Sequence, residues 1–145
     1  MKFLDGQIRD NSHFYSLRIH YEDTDIGGIV YHTKYLNFIE RARSSLIRLL
    51  GFPAEKFLKL KQSIVVKNIN IYWYSSCSLG DCLFVKTNLI ELKKASLCLR
   101  QVIFDEGNNK KLASANVKLC FINENMKVIK LPESFFNELK TNLPH

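Results

Sequence analysis

A chain of 145 residues has room for one domain around one sizeable core. Hydrophobic residues make up 46% of it in short runs, which excludes both a disordered chain and a membrane-spanning helix. The net charge of +7 calls for anionic company, but the lysines and arginines are spread along the chain, which argues against nucleic acid. A phosphate-bearing small molecule fits that charge, as does an acidic protein.

Residues 1–12 are polar and read as a loose arm. No charged start, apolar stretch and cleavage site follow Met1, so the expected location is cytoplasmic. Phe14 to Tyr21 alternates, with Tyr15, Leu17, Ile19 and Tyr21 on one side, and predicts a first strand. Glu22 to Tyr31 is a loop. From His32 to Leu50 the period becomes helical, and Tyr35, Phe38, Ile39, Ala42, Leu46 and Leu49 form one stripe. Gly51 and Pro53 stop that helix, and Ala54 to Leu60 suits a short turn of helix.

The rest reads as strand. Val65, Lys67, Ile69, Ile71 and Trp73 alternate with Val66, Asn68, Asn70, Tyr72 and Tyr74. A turn at Ser78–Asp81 leads into a strand from Cys82 to Leu92, and Lys93-Lys94 turns it back through Ala95 to Phe104. Asp105 to Asn109 is a hairpin signal before a last strand, Leu112 to Ile122. Pro132, Phe135, Phe136 and Leu139 predict a short helix within residues 131–145. The order of strand, long helix and about four antiparallel strands gives an α+β architecture, a sheet curled around one helix in a single domain of residues 1–145.

Tyr21 to His32 reads YEDTDIGGIVYH, with three carboxylates, two glycines and a histidine just before the helix. A carboxylate facing a glycine turn and a helix N-terminus suits acyl transfer, because the acid handles a proton or attacks while N–H groups hold a carbonyl oxygen. The residues alone leave Asp25 open between that role and an ordinary turn or helix cap. Asp23 reads as an orienting residue of the loop, Glu22 as solvated or paired, and His13 and His20 match no motif. Glu40, Arg41 and Arg43 read as local ion pairs of the helix. Trp73, Tyr72 and Tyr74 read as strand packing, or as walls for an acyl chain. Cys77, Cys82, Cys98 and Cys120 fit no zinc spacing and are expected as free thiols. No G-x-S-x-G elbow, Walker A sequence, G-x-G-x-x-G loop or metal cluster is present.

Together with Tyr35, Phe38 and the run Glu40-Arg41-Ala42-Arg43, the YEDTD-x-GG-x-VYH stretch resembles the signature of the 4-hydroxybenzoyl-CoA thioesterase-like branch of the hotdog fold. The resemblance implies a thioesterase that hydrolyses acyl-CoA to a free acid and CoA, linked to lipid metabolism and the cell envelope. It implies no metal or other cofactor, since coenzyme A is part of the substrate. Asp25 matches the catalytic aspartate, as nucleophile or as general base. The backbone N–H of His32 would point at the thioester oxygen, and the His32 side chain is a second catalytic candidate. Gly27, Gly28 and Tyr31 would line the substrate site. Lys93 and Ser96 match the turn that contacts the CoA nucleotide, although this chain has Ala95 where family members carry a further basic residue. The family also implies a homodimer or dimer of dimers, with sites at the subunit junction. Two rival readings are an enzyme acting on acyl carrier protein and a non-catalytic module that binds acyl-CoA or acyl carrier protein.

Overall fold

The computed structural model describes residues 3–145. Seven strands form one antiparallel sheet: β1 (Gln7–Arg9), β2 (Ser12–Arg18), β3 (Gln62–Trp73), β4 (Cys82–Leu92), β5 (Ser96–Asp105), β6 (Lys111–Asn123) and β7 (Val128–Ile129). Their order is β1-β2-β4-β5-β6-β3, with β7 added to β6. Three helices complete the fold: α1 (Lys34–Leu49), α2 (Ala54–Lys59) and α3 (Glu133–Asn142).

The core forms where the helical stripe of α1 meets the inward positions of the sheet. Phe38, Ile39, Ala42 and Leu46 are buried with Leu83 and Val85 of β4, Leu99 and Ile103 of β5, and Val117 and Leu119 of β6. These strands alternate because successive side chains point to opposite faces. The stripe differs from expectation at one end, for Leu49 is 42% exposed while Ile47 and Arg43 are buried.

A second cluster is aromatic. Phe52, Phe57 of α2, Phe121 of β6 and Phe135 of α3 pack together, with Phe52–Phe135 and Phe57–Phe121 centroids 5.0 Å apart. It fixes both short helices to one end of the sheet. Pro132 precedes α3 as its cap residue rather than entering its first turn.

The N-terminal segment departs from the loose arm expected for residues 1–12. Gln7–Arg9 pairs with β2 through a two-residue turn in which Asp10 and Asn11 adopt φ of 49° and 62°. Asp and Asn tolerate that left-handed conformation better than most residues. Residues 1 and 2 of the arm lie outside the described residues. The first strand begins at Ser12, ahead of the expected Phe14, and stops at Arg18, so Tyr21 leaves the strand and stands 83% exposed.

β3 also departs from simple alternation. Its register against β6 shifts between Val66 and Asn68, leaving Lys67 as an extra, outward residue. Before this bulge Ile64 and Val66 oppose the buried Phe121 and Leu119, and after it Ile69, Ile71 and Trp73 oppose Val117, Ala115 and Ala113. Directly opposed residues of an antiparallel pair share a face. The bulge therefore changes parity and keeps five apolar side chains on the helix side of the sheet. Among the described residues β3 pairs with β6 alone, so a strand of 12 residues is an open edge.

Replacing Phe135 by alanine should lower the stability by about 3–5 kcal/mol, since the side chain is fully buried among three other rings. Urea denaturation followed by circular dichroism measures it. A loss below about 1 kcal/mol would show that α3 adds little to the core.

Candidate active site

After β2 the chain enters a single 3-10 turn, Tyr21–Asp23. Asp23 is buried; its Oδ2 accepts the His20 N–H at 2.9 Å and its carbonyl accepts the Tyr31 N–H at 3.1 Å. It therefore joins the two ends of the loop, the orienting role expected of it. The chain then doubles back, with Thr24 bridging Val30.

Asp25 sits inside this small hairpin. Its N–H donates to the Ile29 carbonyl at 2.9 Å and its carbonyl accepts the Gly28 N–H at 3.0 Å. Its Oδ1 accepts N–H bonds from Gly27 at 2.9 Å and Ile29 at 3.0 Å. Among the described residues nothing donates to Oδ2. One carboxylate oxygen thus fixes the side chain while the other stays free, on a residue that is only partly buried. Gly28 has φ of 82°, a conformation costly for any residue with a Cβ. The hairpin is secured from outside by Leu79 N–H donating to the Gly28 carbonyl at 2.9 Å and Val30 N–H to the Cys77 carbonyl at 3.0 Å.

α1 starts directly afterwards. The Lys34 N–H donates to the Tyr31 carbonyl at 3.0 Å. Thr33 supplies no side-chain cap, and the first turn holds no acidic residue. Among the described residues no group accepts from the N–H of His32 or Thr33. An uncapped helix start leaves donors with partial positive charge turned outward. Tyr35, in the first turn, is buried with its hydroxyl 3.2 Å from Cys77 Sγ. Burial and that contact push the phenol far above its usual range, and burial pushes the Cys77 thiol up. Neither group ionises near neutral pH, so the pair acts as a neutral pin between α1 and the segment that secures the loop.

His32 is exposed, with its ring edge-on to Trp73 at a centroid distance of 5.9 Å, and its carbonyl accepts the Trp73 indole N–H at 3.1 Å. Trp73 is 44% exposed and Tyr72 and Tyr74 more so, which corrects the reading of these three as packed strand residues. Tyr31, next to His32 in sequence, is half-exposed. Asp25, Gly27, Gly28, Tyr31 and His32 thus lie in one short segment between the hairpin and the helix.

Lys93 and Ser96 do not join them. Their turn joins β4 to β5, and the 11 residues of β4 separate it by about 35 Å from the Cys82 end that adjoins the Asp25 loop. Lys93 is exposed, with Nζ 3.6 Å from Glu91 Oε1. The two regions belong to opposite ends of one sheet.

The charged run on α1 also differs from expectation. Arg43 is buried, and its Nη1 donates to Gln101 Oε1 at 3.1 Å. Gln101 Nε2 donates in turn to the Ile39 carbonyl at 2.9 Å and to Thr87 Oγ1 at 3.1 Å. Glu40 and Arg41 are exposed and enter no ion pair among the described residues. Burial makes the guanidinium charge harder to hold, and nearby Glu40 favours it. The sequence does carry a trace of this network. Arg43 falls four residues after Ile39 and four before Ile47, and Gln101 alternates with Leu99 and Ile103.

The four cysteines are free, as their spacing suggests. Among the described residues no cluster of His, Cys, Asp and Glu is arranged to hold a metal ion, and no helix is long and apolar enough to cross a membrane.

Comparison with known proteins agrees with this architecture. A family model described as thioesterase superfamily matches residues 27–111, beginning two residues after Asp25. The acyl-CoA thioesterase YbgC of Haemophilus influenzae is 36% identical over 136 residues, covering 90% of this chain and 98% of the relative. The acyl-CoA thioester hydrolase YbgC of Escherichia coli O157:H7 is 32% identical over 124 residues, covering 86% of this chain and 92% of the relative. A crystal structure of a probable thioesterase from Bartonella henselae superposes with a TM-score of 0.78 at 30% identity, covering 83% of this chain and 99% of that one. An antiparallel sheet carrying one long helix, a loop hairpin at the start of that helix and these relatives agree: the chain is a hotdog-fold protein of the thioesterase superfamily.

Proposed function

We propose that this protein is an acyl-CoA thioesterase in which Asp25 acts on the thioester and the start of α1 polarises its carbonyl. The observation that carries the reading is the Asp25 carboxylate itself. Two N–H groups hold one oxygen, among the described residues nothing donates to the other, and an uncapped helix starts nine residues later, at Lys34. In the hydrolysis, water oxygen bonds to the acyl carbon, the carbon–sulfur bond breaks, and the proton lost by water ends on the thiol of CoA. Asp25 would serve this either by taking the proton from water or by attacking the carbon to give an anhydride that water then opens. Oxyanion charge would be met by N–H groups at His32 and Thr33, whose direction needs no reorganisation. The His32 ring, held edge-on to Trp73, is suited to orienting the substrate.

A homodimer accounts for two features at once. The open β3 edge offers a long unpaired ladder next to the exposed Val66, Tyr72 and Trp73. A second copy paired antiparallel along it would also carry its own Lys93 turn toward the Asp25 loop of the first, uniting regions that one chain holds apart. Light scattering at micromolar concentration should therefore give at least twice the chain mass. A strictly monomeric, fully active protein would remove the shared site.

Lys93 pairs only loosely with Glu91 on the surface, so it remains available to phosphate. Lys93→Ala should raise KM with little change in kcat, because the nucleotide lies far from the reacting bond, and added salt should raise KM too. A KM indifferent to both would exclude this turn from the binding site.

Asp25→Asn keeps the size and the N–H acceptor while removing charge and basicity. It should leave the melting temperature near that of the unmodified protein and cut kcat by about 10²- to 10⁴-fold. Thiol release from an acyl-CoA panel gives kcat and KM directly. A well-folded variant retaining more than about a third of kcat would rule Asp25 out as the base.

A further inference from the structure

Between α1, α2 and the start of β3 lies a cavity of about 370 Å³. Ile47, Phe57, Ile64 and Val66 give it apolar walls. Glu40, Arg43, Ser44, Arg48, Gln62 and Ser63 supply its polar part, and two of these carry buried groups. Arg43 is more than nine-tenths buried, and among the described residues its guanidinium makes a single hydrogen bond, to Gln101, and no ion pair. Gln62 Oε1 is buried and has no hydrogen-bond partner among the described residues. A guanidinium has five N–H donors in a fork that matches a carboxylate, and Arg43, which lines the cavity, spends one of its nitrogens on Gln101. Glu40 shares the wall near the opening and favours the charged guanidinium without pairing with it.

The cavity and the candidate thioester site lie along one face of β3. Trp73, against His32, begins the helix-side strip of β3, and Ile71, Ile69, Val66 and Ile64 continue it to the cavity. Along α1, Arg43 lies nine residues after Lys34, a rise of about 13 Å. A thioester held at the helix start would thus send its acyl chain along this strip, with the far end arriving at Arg43.

Resting on the thioesterase reading above, we propose that the cavity receives the distal end of the acyl group and that Arg43 selects chains ending in a carboxylate. The substrate class is a medium-length ω-carboxyacyl-CoA, the monothioester of a dicarboxylic acid. Apolar walls grip the methylene chain, and the fork of Arg43, itself more than nine-tenths buried, meets the terminal anion through charge-assisted hydrogen bonds.

Calorimetry with two non-hydrolysable thioethers tests this apart from turnover. S-octyl-CoA and its ω-carboxylated counterpart differ only at the end that should meet Arg43. The unmodified protein should bind the carboxylated analogue about tenfold tighter or more. Arg43→Met should lose that preference while binding S-octyl-CoA within about threefold of the unmodified protein. Arg43→Lys, which keeps the charge without the fork, should retain part of the preference. Equal binding of the two analogues by the unmodified protein overturns the inference whether or not the variants fold. So does a preference that survives Arg43→Met. Failure of both analogues to bind would overturn the acyl-CoA reading and this inference with it. Binding without carboxylate preference would leave the thioesterase reading standing.

Discussion

Burial of the α1 stripe is the constraint on which the rest of this structure depends. Phe38, Ile39, Ala42 and Leu46 have no exposed surface worth counting, and each large side chain contributes about 1.5–3 kcal/mol by leaving water. The strands must therefore present apolar faces along the length of the helix. Once the helix is seated, its start is fixed in space, and the Tyr35–Cys77 contact pins that end to the segment that holds the Asp25 hairpin. The site inherits its geometry from the packing, since a loop alone would not hold a carboxylate still.

What could be read from the sequence was local. The helix showed itself because its stripe repeats at the helical period over many residues, and the Asp25 loop because its carboxylates and glycines sit within twelve positions. Hairpin turns such as Asp105 to Asn109 declared themselves for the same reason. Strands β1 and β7, with three and two residues, are too short to carry a period and became visible only through their partners.

Long-range features were not legible. Arg43 looked like a surface cation because its partner, Gln101, lies 58 residues away. The separation of Lys93 from Asp25 depends on strand order and on the length of β4, neither of which a motif contains. The parity change in β3 was hidden too, because alternation was counted along one strand while the bulge is defined by the register of two.

That bulge makes Lys67 the one residue of β3 outside the ladder to β6. Its side chain is on the surface, and the bulge that takes it out of the pairing sets which way every later residue of β3 faces. Deleting this one position, with the ladder to β6 kept, would leave Val66 opposite Leu119, Asn68 opposite Lys118 and Trp73 opposite Ala113; keeping Lys67 but closing the bulge would instead turn Asn68, Asn70 and Tyr72 toward the helix and carry Trp73 off the His32 carbonyl. The site-facing half of the strand and its far half are thus two separately phased pieces joined by a spacer. Loss of one residue at Lys67 would therefore be absorbed at the spacer itself, and the mouth of the site, six residues away, would keep its facing.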